Sequence, residues 1–395
     1  MIDMKLLSAT LAAAGLALSG CGGGGGGGGG IGGTGSAAQG TLRVSMTDAP
    51  ACGYDAVNVT VQKVRVNQSA TAGDTDGGWS EIVLAPAKRI DLLTLTNGAL
   101  ETLGATALPA GKYTQLRLVL AANDSATPLA NSVVPTGSTE VALTTPSAAQ
   151  TGLKVNLDLD VAADKIADLV IDFDACKSVV KRGNSGQYNL KPVLSATPVL
   201  SDAGLRVVGY VDPSIALPST LVSVQAGGVP VKATVPDVNG KFVLYPVPAG
   251  NYDLVVSASG HVTAVMTAVP VTTTAYTNVN TALLPIAPPG TTLRTVSGTL
   301  SPATATVRAT QLLSGGPTVE VAWGTVDATT GAFSFALPIG AAVRTAYVEN
   351  PASLSFVGDT TTPPKYTLEA ASGGVTKTLA IDVSAPVAPV VFTFP

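Results

Sequence analysis

The sequence predicts a mainly β protein: three tandem antiparallel β-sandwich-type domains behind a signal peptide and a Gly-rich tether. Three observations predict it. Apolar and polar residues alternate with a period of two through residues 40–200, the mark of half-buried strands. Beyond Leu200 a set of landmarks recurs after about 90 residues, the mark of a repeated unit. Turn formers are abundant throughout, with 43 Gly and 27 Pro in 395 residues. Only 12% of residues are charged and 5% are aromatic, the former about half the usual share. A net charge of −4 from 22 basic and 26 acidic side chains excludes a nucleic-acid binder, which needs a basic face. The mean hydropathy of +0.39 excludes intrinsic disorder, which needs low hydrophobicity and high charge.

The first element is an apolar stretch of 13 residues, Leu6 to Leu18, behind Lys5. It is too short to span a bilayer as a helix and has the length of a signal-peptide core. Asp3 is out of place in a region that should be positive, and initiation at Met4 would remove it. The stretch ends in Leu18-Ser19-Gly20-Cys21. This resembles the bacterial lipobox, which implies that 1–20 is a lipoprotein signal peptide. The same resemblance implies that Cys21 is the lipidated first residue of the mature chain, carrying acyl groups such as palmitate. Several acyl chains hold a protein where one holds it only marginally. Position 22 is Gly, not the Asp linked to inner-membrane retention, so the resemblance favours the outer membrane.

Residues 21–39 follow as a tether. Gly22 to Gly30 is an unbroken run of nine glycines, and a flexible chain of this length spans about 23 Å. A phosphate-binding loop would need a preceding strand, a following helix and a Lys-Ser/Thr pair, and none is present. With Cys21 lipidated, Cys52 and Cys176 remain. Export to an oxidising compartment and an even remainder favour a disulfide between them over two free buried thiols. The absence of Cys-x-x-Cys and the single histidine exclude structural zinc and thiol redox chemistry.

The first folded unit spans 40–200. Leu42, Val44 and Met46 alternate with polar neighbours, as do Val57, Val59 and Val61. Leu116, Leu118 and Leu120 alternate with Gln115, Arg117 and Val119, and Leu157, Leu159 and Val161 with Asn156, Asp158 and Asp160. Leu92–Leu103 and Ala175–Lys181 are expected to hold short helices. Several motifs are spread over this unit: Thr47-Asp48-Ala49-Pro50, Asp91-Leu92-Leu93, and Leu108-Pro109-Ala110-Gly111-Lys112-Tyr113 running into Gln115-Leu116-Arg117-Leu118. Asp172-Phe173-Asp174-Ala175 and Tyr188-Asn189-Leu190-Lys191-Pro192-Val193 complete the set. Together they resemble a bacterial lipoprotein family known as domain of unknown function 4382. The resemblance implies a fold and an envelope location, and no activity.

Two further units are expected at 204–286 and 291–395, joined by Pro285-Ile286-Ala287-Pro288-Pro289-Gly290. Leu205-Arg206-Val207-Val208-Gly209 recurs as Leu293-Arg294-Thr295-Val296-Ser297-Gly298. Gly240-Lys241-Phe242 with Pro248-Ala249-Gly250 recurs as Gly331-Ala332-Phe333 with Pro338-Ile339-Gly340. Tyr252 to Tyr366 is 114 positions while Gly250 to Gly340 is 90, so the second copy carries an insertion of about 24 residues between Gly340 and Tyr366. In the first copy, Asp237-Val238-Asn239-Gly240-Lys241-Phe242 supplies a tight Asn-Gly turn and a core Phe. With Val247-Pro248-Ala249-Gly250-Asn251-Tyr252, it resembles a carboxypeptidase regulatory-like, or prealbumin-like, sandwich of the carbohydrate-binding-like fold. The second copy is a diverged version.

Candidate chemistry is sparse. His261 could take part in catalysis only if a nucleophile and a carboxylate converged on it, and no Gly-x-Ser-x-Gly elbow is present. Asp158 and Asp160 share one strand face, as do Asp172 and Asp174. If the two strands were neighbours, the four carboxylates could bind Ca²⁺. Otherwise they are the polar faces of two half-buried strands. Asp74-Thr75-Asp76-Gly77 resembles the start of a calcium loop but lacks its later ligands. Trp79 and Trp323, with Tyr245 and Tyr276, are the candidates for a glycan-binding face and equally for packing. The expectation is a non-catalytic lipoprotein without a cofactor, anchored to the membrane, with a structural or ligand-presenting role. Its expected partners are the membrane and possible glycans or envelope proteins. A carbohydrate-binding surface lipoprotein using the repeats is the alternative.

Overall fold

From Leu153 to Val161 buried and exposed residues alternate without exception, as a strand with one wet face requires. The structure is a computed structural model describing residues 38–48, 53–145, 151–200, 203–215, 217–359 and 364–395. The signal segment, Cys21, most of the tether and Cys52 lie outside the described residues.

The first unit holds twelve strands. They are β1 (Gln39–Asp48), β2 (Tyr54–Asn67), β3 (Ser80–Asp91), β4 (Glu101–Pro109), β5 (Gly111–Leu120) and β6 (Ser132–Pro135). Then come β7 (Val141–Thr144), β8 (Leu153–Val161), β9 (Ile166–Phe173), β10 (Val179–Lys181), β11 (Tyr188–Leu190) and β12 (Leu194–Val199). A four-stranded sheet runs β12-β9-β1-β4, and an eight-stranded sheet runs β10-β11-β7-β6-β2-β5-β8 with β3 also on β2. Leu42, Met46, Val59, Leu116 and Phe173 lie in the core they share. The expected purely antiparallel pairing needs correction: β1 pairs with β9 in parallel, from Thr41↔Ile166 to Asp48↔Phe173. Parallel neighbours need a long crossover, and here all of β2 to β8 lies between them. The expected helices shrink to one turn each, Leu92–Leu95 and Ala175–Ser178. Asn97 and Gly98 at φ 58° and 81° turn the chain out of the first, and the β-branched Val179-Val180 return it to strand after the second.

The first repeat contributes β13 (Val207–Tyr210), β14 (Thr220–Ala226), β15 (Val229–Thr234), β16 (Lys241–Leu244), β17 (Gly250–Ala258), β18 (Ala264–Val271) and β19 (Thr277–Asn278). The second contributes β20 (Leu293–Ser301), β21 (Thr306–Leu312), β22 (Thr318–Gly324), β23 (Ala332–Pro338), β24 (Val343–Ala346), β25 (Val357–Gly358), β26 (Lys365–Ser372), β27 (Val375–Asp382) and β28 (Val390–Thr393). The first is built from sheets β16-β13-β19 and β15-β14-β17-β18, the second from β23-β20-β28 and β22-β21-β26-β27. Setting β24 and β25 aside, the two strand orders are the same. Phe242 pairs with Gly209 and Phe333 with Gly298. A Cβ on either glycine would fall 2.4 or 2.6 Å from the ring of its Phe, so each landmark pair is one packing unit.

The insertion does not stay with its own sandwich. β24 pairs in parallel with β18 of the first repeat, and β25 extends the sheet to β15-β14-β17-β18-β24-β25. Val255 and Val265 of the first repeat lie in the core of the second. Residues 38–395 accordingly form one compact unit.

Candidate functional site

Charged side chains gather where the first unit meets both repeats. The helical turn Ala175–Ser178 places Asp174, Cys176 and Lys177 there, and its first N–H groups set its geometry. Asp174 caps the turn by accepting from the Lys177 N–H at 2.9 Å, the usual work of an acid at an N-cap. The first repeat adds Gln225 from β14 and Lys232 from β15. The second adds Arg308 from β21 with Glu320 and Trp323 from β22.

Lys177 is the hub. Its Nζ lies 3.5 Å from Asp174 Oδ2, 3.6 Å from Glu320 Oε1 and 4.9 Å from the centre of the Trp323 ring. Arg308 Nη1 is 3.5 Å from Glu320 Oε2, and its Nη2 is 2.9 Å from Glu369 Oε1. Gln225 clasps the Glu320 backbone, donating to its carbonyl at 2.9 Å and accepting from its N–H at 2.7 Å. Burial pushes the Glu320 carboxyl up, while Lys177 and Arg308 pull it down. A buried acid held by two cations is costly to leave unpaired.

A second cluster sits beside it. Lys232 Nζ donates to Asp172 Oδ1 at 2.7 Å. Asp48 Oδ1 accepts from the Ala175 N–H at 2.9 Å, while its Oδ2 is buried without a hydrogen bond. Burial pushes the Asp48 carboxyl well above the usual range, and neighbouring Asp174 and Asp172 add to it. Burial also pushes Asp172 up, against the pull of Lys232.

Two cavities flank Trp323. One of about 360 Å³ is lined by Gly53, Cys176, Lys177, Gln225, Glu320 and Trp323, among others. The other, about 340 Å³, touches Leu190, Lys191, Thr304, Trp323 and Val326. Lys177 and Trp323 wall both. The arrangement can lock three sandwiches together and leave a small, mostly apolar cleft edged by Lys177 and Glu320.

The four candidate aspartates do not converge. Asp158 and Asp160 point to solvent from β8, at the end of the eight-stranded sheet, and Asp158 pairs with Lys112 at 2.7 Å. Asp172 ends toward Lys232 and Asp174 toward Lys177, on the other sheet. Sharing a strand face did not make the strands sheet neighbours, so the condition set for a calcium site is not met. Among the described residues no group of three or more His, Cys, Asp or Glu side chains could hold a metal ion. In the Asp74–Gly77 loop the acids are spent locally: Asp74 pairs with Arg65, and Asp76 accepts from the Gly73 N–H at 2.8 Å.

Trp79 is half-buried, with Arg65 and Arg117 at 4.5 and 5.1 Å from its ring centre, and its Nε1–H donates to the Gly73 carbonyl at 2.9 Å. It fastens a loop. Tyr245 is buried beside Arg206, Tyr276 is exposed, and His261 Nδ1 lies 3.0 Å from the Ser259 carbonyl. Cys176 lines the junction cavity, and its expected partner Cys52 lies outside the described residues. Asp48, Lys177, Lys232, Arg308 and Glu320 were not singled out as site residues from sequence. Each is one charge in an ordinary strand or turn, and only the fold brings them together.

Residues 39–192 match the family model described as Domain of unknown function (DUF4382). That span contains Asp48, Asp172, Asp174 and Lys177. No curated protein matches the chain. Among solved structures, similarity is found to an N-terminal interface mutant of a type II cohesin–X-dockerin complex from Acetivibrio cellulolyticus. It is 26% identical, with a TM-score of 0.19, over 22% of this chain and 59% of that one. A C-terminal interface mutant of the same complex gives 27% identity and a TM-score of 0.18 over 21% and 56%. The chain thus spans little more than half the length of either. A streptococcal ancillary pilin gives 11% identity and a TM-score of 0.16 over 89% of this chain and 98% of that one.

Proposed function

We propose that this protein is a non-catalytic lipoprotein of the bacterial envelope, with a structural or ligand-presenting head. In this reading 1–20 is removed, Cys21 carries the lipid, and 21–39 spaces the head from the outer membrane. The membrane, and envelope proteins or glycans, are its partners. The observation that carries the reading is the three-way junction. Its charges come from all three units and neutralise one another, which suits a head held in one shape rather than a site that turns over substrate. The shared order of the repeat strands and the Asn239-Gly240 turn support a carboxypeptidase regulatory-like assignment for 204–286, with 291–395 as its diverged copy. A Cys52–Cys176 disulfide fits the same picture, since Gly53 and Cys176 line one cavity.

Cell fractionation of Cys21→Ser tests the anchor. The variant is expected to leave the membrane fraction or to stay unprocessed. Unchanged fractionation with an unacylated N-terminus in the natural protein would overturn it. A second reading, glycan binding, draws on Trp323, whose ring borders both cavities beside Lys177 and Glu320. Glycan-array binding that is lost in Trp323→Ala would favour it over a purely structural head.

A further inference from the structure

We propose that Lys232 and Asp172 condense into an amide cross-link that joins the first unit covalently to the first repeat, with Asp48 relaying the protons. The geometry singles out this pair. Lys232 Nζ and Asp172 Oδ1 are 2.7 Å apart, with side-chain exposures of 3% and 15%. Lys112 and Asp158 are equally close, but their exposures are 55% and 79%, so water stabilises both charges there. Lys177 is shared between two carboxylates at 3.5 and 3.6 Å and is aimed at neither alone. Exclusion of water penalises both charged forms of a buried pair. Proton transfer from ammonium to carboxylate inside it is therefore easier than in water, and it yields the amine and the acid that condensation needs.

Asp48 supplies the third part. Its Oδ1 is fixed by the Ala175 N–H at 2.9 Å. Its Oδ2 is buried and has no hydrogen bond, and its electrostatic neighbours include both Asp172 and Lys232. Burial holds this carboxyl protonated far above the usual range, as a general acid needs to be.

The step balances without a co-reactant. The Lys232 nitrogen forms a bond to Asp172 Cγ. Asp48 gives its proton to the departing hydroxyl oxygen, the C–O bond breaks, and water leaves. The nitrogen then returns a proton to Asp48. Ammonium and carboxylate become amide and water, nothing is oxidised or reduced, and two buried charges disappear. The fixed orientation replaces a bimolecular encounter, the usual source of large effective molarities. The adjoining cavity, bordered by Asp174 and Ala233, can receive the released water.

Tryptic mapping of the reduced full chain tests this directly. Acylated Lys232 resists cleavage, so the expected product is a branched peptide joining 166–177 to 207–241, lighter by one water. Separate 166–177 and 207–232 peptides in the natural protein would overturn the proposal. Asp48→Asn, nearly isosteric, is expected to lose the branched peptide while keeping the native circular dichroism spectrum. Full retention of the branch in Asp48→Asn would overturn the proton relay.

Discussion

Tyr366 donates its hydroxyl to the Pro338 carbonyl at 2.7 Å, across the whole insertion that separates them. The first repeat makes the same bond from Tyr252 to Pro248 at 2.8 Å, and the first unit makes it from Tyr113 to Pro109 at 3.0 Å. In those two the partners are four residues apart. The bond pins the Pro-x-Gly turn to the strand beginning just after it. The second repeat kept the bond while the chain between its partners grew into β24 and β25. Tyr366 is buried, and burial pushes its phenol well above the usual value.

Tyr366→Phe removes the donor and leaves a carbonyl short of a partner, which costs about 1–3 kcal/mol when the group is buried. The variant is expected to unfold at lower denaturant concentration with an unchanged slope, measured by urea titration. Unchanged midpoints in Tyr366→Phe and Tyr252→Phe alike would show that the turns are held by packing alone.

Much of this architecture was legible in the sequence, and the reason is local. Alternation at Leu42, Val44 and Met46 reports a buried face directly, and Phe242 and Phe333 open strands just after turns that carry their own signature. What joins the units was not legible. Val343-Arg344-Thr345-Ala346 reads as a short strand, but nothing in it says that it pairs with β18 rather than with its own sandwich. Val255 pairs with Val265, whereas the equivalent Glu369 pairs with Thr378. The apolar pair is covered by the neighbouring repeat and the polar pair is not, so the difference only makes sense once the neighbour is placed. Lys177 and Glu320 are likewise far apart in the chain, and no pattern links them. Asp158 and Asp160 on β8 and Asp172 on β9 mark the same boundary: periodicity gives the face a carboxylate takes, and only the fold decides whether two strands become neighbours.

A Cys52–Cys176 disulfide would close a loop of 124 residues. Bonds of this kind stabilise by about 2–4 kcal/mol, less than loop entropy alone suggests. Non-reducing peptide mapping is expected to find the two cysteines linked, and reduction is expected to lower the melting temperature. Two thiols titrating in the unreduced mature protein would refute the pairing.

Acidification should stabilise the head before it harms it. Asp48 and Glu320 are both pushed above their ordinary values of 3.8 and 4.5, chiefly by burial. The folded state therefore binds their protons more tightly than the unfolded state, and stability rises as pH falls from neutral through the raised values. The gain is complete at the ordinary values. Below them the trend reverses, because Asp124, Asp212, Asp327 and Asp382 are held low in the folded state and lose their contribution on protonation. Melting temperatures across this range are expected to peak near the ordinary carboxylate values. A monotonic fall from pH 7 downward would contradict this account of the buried acids.

The last prediction concerns the strand that crosses between repeats. The Val343 N–H donates to the Thr263 carbonyl at 2.9 Å, and the Tyr347 N–H to the Thr267 carbonyl at 2.9 Å. These bonds tie β24 to β18, and Val343 also lies in the core of the first repeat. Proline at 343 has no N–H to give and cannot sit inside a paired strand. Val343→Pro thus removes one rung and strands the Thr263 carbonyl, at a cost of about 1–3 kcal/mol. The second repeat does not need β24 to complete its own sheets, so it should remain folded while the insertion lifts from β18. Limited proteolysis is expected to cut the variant between 340 and 365 far faster than the natural protein. Hydrogen exchange should rise in β18 and stay low in β21 and β26. Equal cleavage rates and an unchanged β18 would mean that the repeats are held together by Val255, Val265 and the Gln225–Glu320 and Arg308–Gly228 hydrogen bonds alone.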